Sequence, residues 1–196
     1  VIDPHELMEQ HGADALRWYM LCGGSPWASR RIGDAQLEDV VRKVLLTWWN
    51  TASFLTVYSD ANHWAPGTTG EPTLLDRWVL SELHATVRDV TESLEAFDSL
   101  RAGKRLERLI DALSNWYVRL SRRRFWEGDP AALTTLHTCL STLNTLMAPF
   151  TPFLADHLHD ALGGTDSVHL EAWPTVDESL VDDGLNDQVA LAHRLV

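Results

Sequence analysis

Residues 115–126 hold the side chains of this chain that are best suited to bind another molecule. The segment reads NWYVRLSRRRFW, with four arginines and no acid, in a chain of formal net charge −12. Guanidinium groups form paired hydrogen bonds with phosphates, and aromatic rings stack on nucleobases. The composition of this short segment therefore predicts a local contact with a nucleic acid.

A helix must position these side chains, and the sequence predicts one that begins after Asp98 and ends near residues 122–126. At about 100° per residue, its apolar side chains gather around Leu113 and include Trp116 and Leu120. This is the expected core face, so Trp116 is expected to be buried. One flank of the helix carries a basic stripe that consists of Arg101, Lys104, Arg105, Arg108, Arg119, Arg122 and Arg123, with Asn115 and Trp126 beside it.

The basic stripe has two interpretations. It would be about six turns long, or roughly 33 Å on a straight helix, which is enough to follow several phosphates. Arg124 maps toward the core side and would join the stripe only if the helix frays before it. Basic stripes more often form a solvated face that pairs with acids of a neighbouring helix. With seven basic groups on one flank, both interpretations stay open at this point.

Capping residues, prolines and glycines elsewhere in the chain predict an all-α fold, an antiparallel helical bundle with short links. Alternation at residues 167–174 indicates a short strand or an extended arm. The predicted helices cover residues 4–11, 14–22, 34–59, 73–96, 98 to about 122–126, 130–148, 152–162 and 177–196.

Composition limits the class of protein. The chain is 45% hydrophobic with nine tryptophans, which is enough for the core of one ordinary domain. No stretch approaches 18 uninterrupted apolar residues, so we expect no membrane span. The chain has neither an initiating methionine nor a leader, so we expect it to begin inside a longer protein. Only Cys22 and Cys139 are present, far apart, which favours a reducing cytoplasm over a disulfide framework.

Other candidate sites are weaker. His157 and His159 lie two positions apart on a predicted helix, so their side chains would point in different directions and make a poor metal pair. The sequence has no glycine-rich phosphate loop, no His-Glu-x-x-His motif and no evident Ser/His/Asp set. We therefore expect neither a catalytic centre nor a metal site in this chain.

Several separated segments resemble the class Ia aminoacyl-tRNA synthetases. Residues 12–19 (GADALRWY) and 25–31 (SPWASRR) are similar to the region after the Lys-Met-Ser-Lys-Ser loop of these enzymes. Residues 115–126 resemble a helix of their anticodon-binding domain. Residues 147–155 resemble a helix junction shared by the class, and residues 167–174 resemble the segment that follows the helical bundle. The forms of residues 25–31 and 115–126 favour the isoleucyl-tRNA synthetase family over the valyl and leucyl families.

This resemblance implies a domain organisation and a parent enzyme. Residues 1–33 would be a connector after the catalytic domain, 34–164 the helical anticodon-binding domain, and 165–196 the start of a C-terminal junction. The parent would attach isoleucine to tRNA(Ile) with ATP and Mg²⁺, and some family members carry zinc in a further C-terminal part. The His-Ile-Gly-His and Lys-Met-Ser-Lys-Ser motifs and the editing domain are absent from this sequence, so no cofactor is expected in it.

The resemblance also gives roles to individual side chains. The anticodon stem-loop of tRNA(Ile) is the expected partner. Lys104, Arg105 and Arg108 would follow the phosphates of the stem, and Arg30 and Arg31 would touch either the inner side of the tRNA or the catalytic domain of the same polypeptide. A cytoplasmic monomer with no DNA or membrane partner is expected. The side chains expected to meet the loop are Asn115, Arg119, Arg122, Arg123, Arg124 and Trp126.

Two alternatives stay open. The chain could come from another class Ia synthetase, such as the valyl enzyme, although the forms of residues 25–31 and 115–126 argue against it. It could also be a helical protein-interaction module whose basic stripe docks an acidic partner. The second alternative predicts no RNA footprint and an association that tolerates loss of the aromatic side chains.

Overall fold

The computed structural model describes residues 3–25, 27–29 and 31–195, and the regular elements in these residues are all helical. The predicted all-α fold is therefore confirmed. The α-helices are α1 (Pro4–His11), α2 (Ala13–Cys22), α3 (Asp34–Val40), α4 (Leu46–Ala61), α5 (Leu74–Glu95), α6 (Ser99–Asp111), α7 (Arg122–Trp126), α8 (Pro130–Met147), α9 (Pro152–Ala161) and α10 (Asp183–Leu195).

The core lies between α5 and the helices that pack against it. α5 contacts α6 on one side and α8 on another, while α4 closes the bundle against α8. The core contains the fully buried side chains of Trp48, Leu83, Leu106 and Leu140, one from each of these four helices. Removing such large apolar surfaces from water is the main favourable contribution to folding.

Helix starts follow from local side-chain chemistry. The Asp98 carboxylate accepts a hydrogen bond from the backbone N–H of Arg101, and Asp129 accepts from the N–H groups of Ala131 and Ala132. Proline at the first position of α8 has no N–H to leave unpaired, so it fits there. These caps explain why the predicted starts of α6 and α8 agree with the structure.

Two π-helical segments, Val41–Leu45 and Ala112–Val118, interrupt the long helices. A π turn holds more residues than an α turn, so it changes the phase at which later side chains point. Leu120, expected on the core face, is 54% exposed, and Trp116, expected to be buried, is only partly buried. A turn at Ser121 then separates α7 from the residues before it. The helix predicted from Asp98 to residues 122–126 is therefore present, but the π-helical segment and this turn interrupt it.

Residues 167–174 form an extended arm rather than a strand, and the arm continues to residue 182, so the helix predicted from residue 177 begins only at Asp183. Within the described residues the arm contains only two short 3₁₀ turns, Val168–Leu170 and Glu178–Leu180. The Trp173 Nε1–H donates to Thr91 Oγ1 at 2.8 Å. Farther along, the Asp177 N–H donates to His84 Nδ1, and the Asp182 N–H donates to Ser81 Oγ at 2.7 Å. The arm therefore runs antiparallel to α5 and leads into α10.

Both flanking parts of the chain contact the helical domain. α2 packs against α6, and α10 packs against α5. The domain boundaries after residues 33 and 164 stay predictions. None of the helices within residues 3–25, 27–29 and 31–195 combines the length and the apolar character that a membrane crossing requires.

We expect Gly103→Ala to destabilise the fold, although alanine is the better helix former. α6 approaches α2 at Gly103, where an added Cβ would lie 2.6 Å from Cys22 Cβ and also collide with Cys22 Sγ. Alanine would gain about 1 kcal/mol in helix propensity. Overpacking costs about 1–3 kcal/mol, and here the clash involves atoms next to the backbone, so we expect a net loss. Urea unfolding measures it.

Gly184→Ala in α10 is the matched control, because a Cβ there would meet only Asp182 Oδ1, at an ordinary 3.4 Å. We expect this variant to be at least as stable as the parent chain. Equal stability of the two variants would contradict a tight approach of α2 and α6.

Candidate nucleic-acid interface

A buried carboxylate organises the arginine-rich segment from the inside. Asp76, in the first turn of α5, is fully buried. Its oxygens accept hydrogen bonds from Arg124 Nη1 and Nη2 at 2.8 and 2.7 Å and from the Tyr117 hydroxyl at 2.5 Å. Burial would raise the pKa of Asp76, but the hydrogen bonds from Arg124, Tyr117 and Thr73 outweigh burial and hold this pKa below its ordinary value.

Arg124 points into the bundle rather than toward solvent. Its side chain is 18% exposed, and its Nε–H also donates to Asp129 Oδ2 at 2.8 Å. Burial lowers the pKa of this guanidinium, but the hydrogen bonds to Asp76 and Asp129 raise the pKa by more than burial lowers it. The net pKa lies above its ordinary value, so Arg124 stays charged. A role of Arg124 at an RNA phosphate stays untested, but two carboxylates already occupy the group.

The other three arginines of the segment lie on its exposed side, together with Trp126, which is 74% exposed. In the described part of the chain, Arg119 and Arg122 have no carboxylate partner within 4.0 Å. Arg123 Nε donates to Glu127 Oε1 at 2.8 Å, in an exposed pair. Exposed pairs of this kind contribute little net stability because solvent screens them, so a phosphate can replace Glu127.

Asn115 is also exposed, one turn before Arg119, and its Nδ2–H donates to Asp111 Oδ1 at 2.6 Å. Its amide oxygen accepts no hydrogen bond from the described residues. Arg31 is exposed as well, and its carbonyl accepts from the Tyr19 hydroxyl at 2.8 Å. Arg30 lies outside the described residues.

The part of the basic stripe on α6 divides between the two interpretations. Arg105 is only 12% exposed and pairs with Glu82 and Asp89 of α5, which is the neighbouring-helix pairing expected of a structural charge. Lys104 and Arg108 are exposed and have no carboxylate within 4.0 Å among the described residues. Both line a groove of about 590 Å³ between α6 and α10. Lys104 and Arg108 are therefore free to bind phosphates, whereas Arg105 is not.

Sequence reasoning missed two residues that shape this surface. Glu127 is four positions after Arg123, so the pair could have been found from helical spacing. Asp76 lies 48 positions before Arg124, and no local pattern connects them. Among the described residues, no group of three or more His, Cys, Asp or Glu side chains is placed to hold a metal ion.

Comparison with known proteins gives a family for this arrangement. The model of the family "Anticodon-binding domain of tRNA ligase" matches residues 76–196. The isoleucine–tRNA ligase of Streptomyces avermitilis is 50% identical over 206 residues, which cover 100% of this chain and 20% of that protein. The isoleucine–tRNA ligase of Thermobifida fusca is 51% identical over 212 residues, with the same coverage. The chain thus spans about a fifth of the length of these relatives.

Two solved structures share the fold. LeuRS of Agrobacterium radiobacter K84, in a ternary complex with tRNA and LeuAMS, superposes with a TM-score of 0.68 at 23% identity and covers 93% of this chain and 22% of its own. The methionyl-tRNA synthetase of Mycobacterium tuberculosis gives a TM-score of 0.73 at 18% identity and covers 84% and 34% of the two chains. At these identities the likeness supports the fold alone.

Proposed function

Because this chain belongs to the anticodon-binding domain family of tRNA ligases, we propose that it binds the anticodon stem-loop of tRNA(Ile) as part of an isoleucine–tRNA ligase. The choice of tRNA(Ile) rests on the relatives that are about 50% identical over the whole chain. The observation that carries RNA binding is the pair of exposed arginines Arg119 and Arg122, which have no carboxylate partner in the described part of the chain and lie near the exposed ring of Trp126.

The chemistry of each side chain gives it a place in this proposal. Arg119, Arg122 and Arg123 bind phosphates and so set the register of the RNA without reading its sequence. Trp126 stacks on an unpaired base of the loop, and the amide of Asn115 hydrogen-bonds a base edge. Lys104 and Arg108 follow the phosphates of the stem. Arg105 and Arg124 pair with carboxylates of the protein and are not assigned a contact with RNA in this proposal.

The same proposal covers the longer polypeptide. The parent ligase attaches isoleucine to tRNA(Ile) in the cytoplasm, as a monomer. ATP, Mg²⁺ and any zinc bind to parts of the ligase that this chain does not cover. Residues 1–33 are the connector to the catalytic domain, and Arg30 and Arg31 face that domain or the inner side of the tRNA.

The direct test is a titration of this chain with a tRNA(Ile) transcript and a tRNA(Ser) transcript at low and moderate salt. We expect salt-dependent binding that favours tRNA(Ile), because phosphate contacts release counterions and base contacts discriminate. Equal binding of both transcripts, or no binding of either, would contradict anticodon recognition by this chain. Binding of an acidic protein without any RNA footprint would favour the interaction-module alternative.

Replacing Trp126 with alanine tests base stacking. We expect the variant to lose about 1–3 kcal/mol in binding to the cognate anticodon loop and less in binding to a scrambled loop. Its unfolding midpoint should barely change, because the ring is mostly exposed. Trp27→Ala is the matched control, since Trp27 is also a highly exposed ring but lies outside α7, near the start of the sequence. Equal losses for cognate and scrambled loops would argue against stacking.

A further inference from the structure

One guanidinium group joins α7 to the beginnings of two other helices. Arg124, in α7, donates to Asp76 in the first turn of α5 and to Asp129, the N-cap of α8. Its Nη1 also lies 3.1 Å from the hydroxyl of Thr73, the N-cap of α5. Four donor–acceptor contacts thus use one side chain, and all of them reach residues that lie outside α7.

α7 is only five residues long, and Ser121, with a φ of −94° and a ψ of 6°, interrupts the regular helix before it. Backbone hydrogen bonds from the Ser121 N–H to the Tyr117 carbonyl and from the Phe125 N–H to the Ser121 carbonyl still join α7 to the residues before it. A turn at Ser121 precedes α7, and Gly128, with a φ of 70°, follows it. Because the helix geometry is irregular at Ser121, the side chains of α7 that pack inward help to set its direction.

Two adjacent residues of α7 point inward. Phe125 is fully buried and meets Phe54 and Tyr117 edge to face, with ring centroids 5.1 and 6.0 Å apart. The buried ring of Phe125 fixes how close α7 lies to the core, but apolar contacts are not directional and do not fix its orientation. The planar fork of Arg124 on Asp76 adds direction, because two parallel hydrogen bonds hold both groups near one plane.

The stability of the fold does not by itself explain this arrangement. Taking both charges out of water offsets most of the attraction between them, so a buried ion pair contributes little net stability compared with apolar side chains. What such a pair can supply is a single geometry. In α7 that geometry decides where the neighbouring side chains at positions 122, 123 and 126 point.

We propose that Arg124, held by Asp76 and Asp129, is a positioning residue that fixes the direction in which α7 presents Arg122, Arg123 and Trp126 to RNA. This inference rests on the proposed function. The arginines of residues 115–126 accordingly divide into one that points inward and three that face the ligand. Loss of the fork leaves the exposed charges in place but removes their fixed spacing.

Arg124→Lys tests this role, because lysine keeps the charge and loses the planar fork. We expect the preference for tRNA(Ile) over tRNA(Ser) to fall by about tenfold, because one or two contacts to the RNA would be misplaced. A tenfold change corresponds to about 1.4 kcal/mol of binding free energy. The salt dependence of binding should stay nearly the same, since the exposed arginines remain. In the free protein, amide hydrogen exchange at residues 122–127 should become faster.

Arg17→Lys is the matched control. Arg17 also bridges separate elements through its fork, with Nε 3.2 Å from the Phe150 carbonyl and Nη2 2.8 Å from the Pro149 carbonyl. We expect it to change the unfolding midpoint without changing the preference for tRNA(Ile) or the exchange of α7. Tyr117→Phe is a second control, because it removes a hydrogen bond to Asp76 and leaves the Arg124 fork intact.

The outcomes separate the two levels of the proposal. If this chain without substitutions does not prefer tRNA(Ile), the proposed function fails. If it does and Arg124→Lys keeps the full preference, only the positioning role fails. Unchanged amide exchange at residues 122–127 in the free Arg124→Lys protein would overturn the positioning role. An equal loss of preference for tRNA(Ile) in Arg17→Lys would overturn it as well.

Discussion

Trp48→Ala is expected to lower the free energy of unfolding by about 3–5 kcal/mol, the range for deleting a buried aromatic ring. Trp48 is fully buried in the core beside α8. Removing its ring leaves a cavity that the surrounding helices fill only in part, so contacts are lost as well as buried area. Equilibrium unfolding in urea, monitored by far-UV circular dichroism, measures the loss.

Two variants make this prediction specific. In Trp48→Phe most of the ring volume stays, and the indole N–H, which has no acceptor among the described residues, disappears. Removing an unpaired buried donor offsets part of the lost packing, so we expect a loss well below that of Trp48→Ala. Trp49→Ala deletes the neighbouring ring, which is partly exposed and stacks on His157 at 5.2 Å. A loss in Trp49→Ala as large as in Trp48→Ala would contradict the assignment of the core.

The double variant Arg119→Ala with Arg122→Ala is expected to weaken tRNA(Ile) binding by about tenfold or more per contact, since hydrogen bonds to charged groups contribute about 1.5–3 kcal/mol. The salt dependence should also fall. Each lost phosphate contact removes about 0.7–0.9 from the slope of log K against log salt. Fluorescence anisotropy at several salt concentrations gives both quantities.

Arg42→Ala with Lys43→Ala is the charge-matched control. Both side chains are mostly exposed, pair with Asp39 and lie in the first π-helical segment rather than near α7. This control removes the same formal charge, so it reports the general electrostatic contribution. If it reduces the affinity and the slope as much as the double variant, then Arg119 and Arg122 do not contact phosphates directly.

Several helix starts could be predicted from the sequence because they depend on neighbouring residues, whereas the last helix begins at Asp183 and not at residue 177. The cap at Asp98 and the prolines at 130 and 152 gave starts that agree with the structure. Each of these signals acts through one or two backbone groups within a turn, so no knowledge of the tertiary fold is needed.

The division of the arginines could not be predicted in the same way. Arg105 and Arg108 lie three positions apart on one flank of α6, yet only Arg105 meets the acids of α5. That distinction depends on how two helices cross. The π-helical segment before α7 adds a second difficulty, because a fixed angle per residue no longer describes the side chains after it.

The arm at residues 167–182 has a consequence for the order of assembly. Its three anchors on α5 lie 82, 93 and 101 positions earlier in the chain. During synthesis on a ribosome, the N-terminal helices emerge first and can pack before the arm exists. The face of α5 that carries Ser81, His84 and Thr91 therefore stays uncovered until the arm is made. A nascent chain therefore passes through a bundle in which α5 still lacks the cover of the arm and of α10.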